Sequence, residues 1–329
     1  MKTFANKNPQ TLEQAVSFAQ QARKDGQTPS VVGGGSDLLG MVKEFIIKPD
    51  VLVNLKTIKG LDQVAATAGS VNVGGLITLD TLGRHPLIRS RYAALAEAAE
   101  TVATPQIRNV GTLAGNVCQR PWCWYFRNGF PCLKNGGDTC FSIAGDNRFH
   151  AIFGGGPSYI VHPSDTAPAL VALEAMFRIV GPSGERVVPA ADFFVLPQKD
   201  ATKENVLSAD EVLAGVQLAP AHVGRRSTYN KVLDREAWTH AIVSAAVVLD
   251  VDNEICRRAR VVLGGVAPIP WRLTNVENLL TGQRITSDLA AKAGEVAIVG
   301  AQKLSKNGYK LPMTKALVRR TVLALATRT

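Results

Sequence analysis

The chain has 329 residues, is 46% hydrophobic and 19% charged, and carries a formal net charge of +10. These values fit a globular protein of two or three domains and exclude a disordered or fibrous chain. No apolar run reaches the about 18 residues of a membrane span, and the opening "MKTFANKNPQTLEQAVSFAQQ" lacks the apolar core of a secretory signal. The basic residues are scattered, with only Arg257–Arg260 dense, so a solvated basic surface is expected rather than a nucleic-acid footprint.

The first element in chain order is "TLEQAVSFAQQARK", residues 11 to 24. Leu12, Ala15, Ala19 and Ala22 fall near one helical face, and Thr11 with Gln14 has capping-box spacing. "TPSVVGGGSDLLGMVKE" then reads as a short strand, three glycines, a polar pair and an apolar stretch, and "DVLVNLKTI" as an alternating strand. Together these predict a small β–α–β lobe over 1–58. A mixed second lobe is expected over 59–221: "SVNVGGLITLDTL" as strand and turn, "RYAALAEAAETVAT" as a helix, and "HPSDTAPALVALEAMFRIV" as turn, helix and strand. From 222 to 329 the style changes to apolar strands ("HAIVSAAVVLDV", "RRARVVLGGVAP") and helices ("VENLLTGQ", "DLAAKAGEVAIVGAQKL", "TKALVRRTVLALAT").

Three polar turns carry chemistry. In "VVGGGSDLL", consecutive glycines let backbone approach a ligand and aim several N–H groups at one anion. It is neither G-x-G-x-x-G nor a P-loop, and a plain tight turn is equally compatible. In "TPQIRNVGTLAGN", Gly111 and Gly115 flank small residues that suit a flat ligand, or a surface turn. In "IVHPSDTAPAL", Ser164 or Asp165 can cap the following helix, or Asp165 can accept from a ligand hydroxyl or base.

The order of these motifs, with "PDVLVNL", "YNKVLDREAWTHAIVSAAV" and "VVLGGVAPIPWR", resembles the flavin-binding subunit of molybdenum hydroxylases over nearly the whole chain. The resemblance implies an α+β fold: a two-lobed FAD-binding domain of the PCMH type, then a C-terminal α+β domain like that of carbon monoxide dehydrogenase flavoproteins. It assigns Val32, Gly33, Gly34, Gly35, Ser36, Asp37 and Leu38 to the first FAD loop. Thr112, Ala114, Gly115 and Asn116 form the second, Asp165 the third, and Lys231 stands near the flavin. FAD is expected to be noncovalent.

Four of the five cysteines crowd into residues 118–140 with spacing C-x4-C-x8-C-x7-C. No C-x2-C knuckle is present, so zinc is disfavoured, while soft thiolates on one loop suit an iron–sulfur cluster. The insert 118–158 resembles that of the subfamily with an extra [4Fe–4S] cluster. There Cys123, Cys132 and Cys140 match three ligands, and the fourth position is Ser158; Cys118 is the alternative fourth ligand. Cys256 is expected to be a buried structural thiol.

The resemblance implies an electron-transfer subunit, with no catalytic residue set of its own. Electrons from a molybdenum-cofactor large subunit would cross [2Fe–2S] centres in a small subunit, reach this FAD and leave to an external acceptor. The expected location is the cytoplasm, or the periplasm by co-export with a partner. A self-contained flavin oxidoreductase and a non-enzymatic iron–sulfur or zinc scaffold are the alternatives.

Overall fold

The computed structural model describes residues 1–222, 224–235 and 239–327. Residues 236–238, which belong to the "YNKVLDREAWTHAIVSAAV" motif, lie outside the described residues.

The helix and strands expected within residues 1–58 form. Helix Leu12–Lys24 buries Ala15, Val16, Ala19 and Ala22, and Thr11 caps it by accepting from the Gln14 N–H at 3.2 Å. The Gln14 amide oxygen in turn accepts from the Gln10 N–H at 2.8 Å, one residue earlier than in the capping box. Strand Val51–Asn54 lies between Ala5–Lys7 and Pro29–Val32, parallel to both. It does not alternate: Val51, Leu52 and Val53 are all buried. A central parallel strand is covered on both faces, so a continuous apolar run replaces the two-residue period.

A five-stranded antiparallel sheet follows, in the order Val64–Ala66, Val71–Gly74, Val212–Leu218, Met176–Gly181, Gly184–Pro189. "LDTL" continues not as a turn but as helix Leu79–Arg84, because Thr78 caps it. Helices Ala93–Glu100 and Thr166–Ala172 lie where the sequence suggests. Together with this sheet they enclose the principal core.

The C-terminal sheet runs Trp271–Arg272, Ile255–Gly264, Val243–Asp252, Arg225–Val232, all antiparallel. Ala246 and Val248 face the principal core, while Ala245, Val247 and Leu249 face a second core built on helices Thr274–Leu280, Ser287–Val296 and Lys310–Thr327. That sandwiching explains the nearly unbroken apolar run of residues 242–249. Cys256 is buried in the second core. Among the described residues no helix is long and apolar enough to cross a membrane.

Candidate functional site

The first and second glycine turns interlock. Strand Pro29–Val32 delivers Gly33–Asp37, and a Cβ on Gly34 would overlap the Val110 carbonyl of the second turn. A Cβ on Gly33 would lie 2.9 Å from the Thr112 hydroxyl oxygen. Of Gly33, Gly34 and Gly35 only Gly35 has a positive φ, +76°. The requirement at Gly34 is therefore contact with neighbouring backbone rather than left-handed conformation. The N–H groups of Gly34 through Asp37 donate to no described protein group. Four such donors on one tight turn form an anion-binding concavity. Thr112 caps the short helix Leu113–Val117 through the Gly115 N–H at 3.2 Å, so Gly115 is helical and has no positive φ.

Between the turns lies a cavity of about 300 Å³. Ser36, Asp37, Thr112, Gly115, Asn116 and Asp165 line it. Leu79, Val102, Ala103 and Ile107 give it an apolar end. Val32, Gly33, Gly34, Gly35 and Leu38 stand behind as backbone support. Ala114 is buried against Gly75.

Asn116 joins the second turn to the third: its amide oxygen accepts from the Ser164 and Thr166 hydroxyls, each at 2.6 Å. Ser164, not Asp165, caps helix Thr166–Ala172, accepting from the Ala167 N–H at 3.0 Å. The Asp165 carboxylate instead accepts from the Tyr229 hydroxyl at 2.6 Å and the Lys231 ammonium at 2.7 Å. The side chains of Lys231 and Asp165 are 1% and 5% exposed. Lys231 thus reaches the cavity only through Asp165. Burial, and then the Asp165 charge, hold the Tyr229 phenol well above its ordinary pKa. His162 is driven down to about 4 by burial. Its Nδ1 accepts from the Ser164 N–H at 3.3 Å, and its ring meets Phe194 edge-on.

Two further wall residues, Trp122 and His240, were not singled out by the sequence reading. Their rings stand 5.3 Å apart. Trp122 belongs to the cysteine insert, which is fastened to the first turn through Asp37. Arg127 donates to one Asp37 oxygen at 2.7 Å and the Arg120 N–H to the other at 3.0 Å. Arg120 also pairs with Glu204, which takes the buried Lys134 ammonium at 3.0 Å. Asp37 lines the cavity and also anchors the insert.

The cysteines divide. Cys132 is buried with Phe126 and Met41, and Cys123 and Phe141 pack against this small cluster. Burial raises the Cys123 thiol to about 11, with a smaller upward push from Cys132 and Cys140. Cys123 Sγ is 3.4 Å from His150 Nε2, a neighbour that the cysteine spacing could not reveal. Cys140 Sγ accepts from the Tyr159 N–H at 3.5 Å, beside Ser158. Cys118 packs instead against the principal core, and burial lifts its thiol to about 12. It is not gathered with the other three, which corrects its assignment as an alternative ligand. Among the described residues, no three His, Cys, Asp or Glu side chains are arranged to hold a metal ion. The expected cluster therefore has no assembled ligand set.

Residues 2–220 match the family described as the FAD binding domain in molybdopterin dehydrogenase, and residues 228–325 the CO dehydrogenase flavoprotein C-terminal domain. The FAD-binding subunit PaoB of aldehyde oxidoreductase from Escherichia coli (strain K12) is 33% identical over 96% of both chains. The carbon monoxide dehydrogenase medium chain of Hydrogenophaga pseudoflava is 26% identical over 96% of this chain and 94% of its own. In fold, carbon monoxide dehydrogenase from Hydrogenophaga pseudoflava superposes with a TM-score of 0.77 at 24% identity, covering 98% of this chain and 96% of the other. Quinoline 2-oxidoreductase from Pseudomonas putida 86 gives 0.76 at 23% identity, covering 99% and 98%. The chain belongs to the family of FAD-binding medium subunits of molybdenum hydroxylases.

Proposed function

We propose that the cavity holds one noncovalent FAD and that the chain relays electrons from a [2Fe–2S] small subunit, fed by a molybdenum-cofactor large subunit, to an external acceptor. The observation that carries the site assignment is the run of undonated N–H groups at Gly34–Asp37, of which Ser36 and Asp37 line a cavity with apolar walls. The pyrophosphate would take these donors, and the apolar end would take a ring. Asp165 retains lone pairs for a ligand hydroxyl after its two protein contacts. FAD supplies, when bound, exchange between one- and two-electron carriers. The protein's own part is to position and desolvate it. No residue is assigned a bond-making role. The proposed boundaries are 1–58, 59–221 and 222–329.

We also propose that Cys123, Cys132 and Cys140 hold an iron–sulfur cluster of the [4Fe–4S] type. Its support is three thiols on one insert, with Cys132 and Cys140 near enough to Cys123 to push its thiol upward. A cube-shaped cluster takes each thiolate at a separate iron, so its ligands need not converge on one point. Isolation of the chain from its native source, with flavin, iron and sulfide assays, tests both proposals. Acid precipitation should release all the yellow colour as FAD, and molybdenum and [2Fe–2S] subunits should copurify. FMN or pellet-bound flavin would reject the noncovalent FAD reading, and substrate oxidation by the chain alone would reject the relay in favour of a self-contained flavin oxidoreductase. Zinc without iron would reject the cluster alone.

A further inference from the structure

The cysteine insert supplies part of the flavin cavity wall. Trp122 lines the mouth of that cavity and is itself 48% exposed, so one face remains uncovered by protein. Its other contacts hold it in place. The Arg127 guanidinium lies 4.3 Å from its ring centroid, and the His240 ring is 5.3 Å away. Arg127 cannot swing freely: it donates to Asp37 at 2.7 Å, to the Arg120 carbonyl at 2.9 Å and to the Pro121 carbonyl at 2.8 Å. Arg127 and Asp37 are only 12% and 16% exposed. The chain of contacts therefore runs from the first glycine turn, through Asp37 and Arg127, to an aromatic face at the cavity mouth.

We propose that Trp122 is a flavin-contacting residue: its indole closes the mouth of the FAD cavity and is positioned by the Asp37–Arg127 bridge. This rests on the FAD assignment but not on any metal in the insert. An exposed indole beside an apolar cavity has unfilled contact area, and a planar aromatic ligand fills it by stacking or edge contact.

The test uses the purified chain with FAD bound, and in its native complex where that is obtained. Trp122→Ala, Trp122→Phe and Arg127→Gln are compared with Trp124→Phe, a control in the same insert at a residue that does not line the cavity. Trp122→Ala should release FAD on the order of tenfold faster, the effect of one aromatic contact. Its bound flavin should also fluoresce more strongly, because a contacting indole quenches flavin emission. Trp122→Phe should keep most of the affinity and lose the quenching, a split that a merely structural role would not produce. Arg127→Gln should shift both readouts in the direction of Trp122→Ala. Release rate and fluorescence equal to the Trp124→Phe control in the Trp122 variants would overturn the proposal while leaving the FAD site standing. A wild-type chain that binds no FAD would overturn the FAD assignment itself.

Discussion

The glycine turns and the cysteine insert are adjacent, but they are built by opposite means. The turns owe their form to backbone touching backbone. Gly34 sits against the Val110 carbonyl, and a Cβ on Gly111 would lie 3.0 Å from the Ile107 carbonyl oxygen. The insert is held by side chains: Arg120 and Arg127 on Asp37, Lys134 and Arg120 on Glu204, and a small apolar cluster around Cys132. A site made of backbone tolerates almost no added atom. A site made of side chains tolerates exchange but depends on each charged partner.

The sharpest way to break this comparison is Gly34→Val. The new branch meets the Val110 carbonyl, a group that cannot rotate away, so the two turns must separate. Overpacking of this kind costs about 1–3 kcal/mol or more, and it falls on the cavity floor. Flavin content after purification should drop to background with the far-UV circular dichroism largely kept. Normal flavin would show that the turns do not touch in the bound protein. Gly115→Val is expected to follow for a different reason: its Cβ would crowd the Thr112 hydroxyl that caps the helix.

Asp165→Ala acts on stability rather than first on flavin content, at about 3–5 kcal/mol. Removing one partner of a buried pair leaves the other charge uncompensated, here Lys231 with a side chain 1% exposed. From the sequence, Asp165 looked like a single ligand hydrogen bond; its link to Tyr229 and Lys231 makes it a structural joint between the third turn and the C-terminal sheet. Asp165→Ala with Lys231→Met should recover much of the loss in a urea titration. Additive losses would show the pair to be uncoupled.

These two residues mark how much was legible. Motif order placed all three turns, because glycine, capping and small residues leave local signatures that survive without tertiary information. The β–α–β lobe and the apolar C-terminal strands were readable from periodicity, except that Val51–Val53 hid their two-sided burial. What the sequence hid was long-range pairing. Asp37 meets Arg127 across 90 residues, and Trp122 meets His240 across more than a hundred. No local pattern encodes either contact. The cysteine spacing suggested one ligand set, yet Cys118 follows its short helix into the principal core.

Acid should act on both regions, since burial lowers His150 of the insert as well as His162 of the third turn to about 4. His162 is neutral in the folded chain, its pKa lowered to about 4 by burial, against an ordinary 6.5. Between these values the unfolded chain binds the extra proton and the folded chain does not, so stability rises with pH. It is fully present above 6.5 and is lost as pH falls toward 4. The loss approaches about 3 kcal/mol for this group. His162→Gln should flatten the difference between urea midpoints measured at pH 7 and pH 4.5. An equal pH dependence in both proteins would show that His162 takes its proton as readily folded as unfolded.

The smallest expected effect on the flavin comes from the cysteines. Cys132→Ser places a hydroxyl among Phe126, Met41 and Phe141, and Cys256→Ser places one in the second core. Each buried hydroxyl costs about 1–3 kcal/mol locally when unpaired. Neither residue lines the cavity or touches Asp37, so FAD content should remain near one per chain in both. The two differ in iron. Anaerobically prepared Cys132→Ser should lose its iron and sulfide, as should Cys123→Ser and Cys140→Ser, while Cys256→Ser and Cys118→Ser should keep them. Loss of flavin together with iron in Cys132→Ser would mean that the order of the insert depends on the cluster, and that the side-chain bridges through Asp37 do not hold it alone. Iron kept in all three variants would place the metal elsewhere and leave the insert with only its role as the wall that carries Trp122.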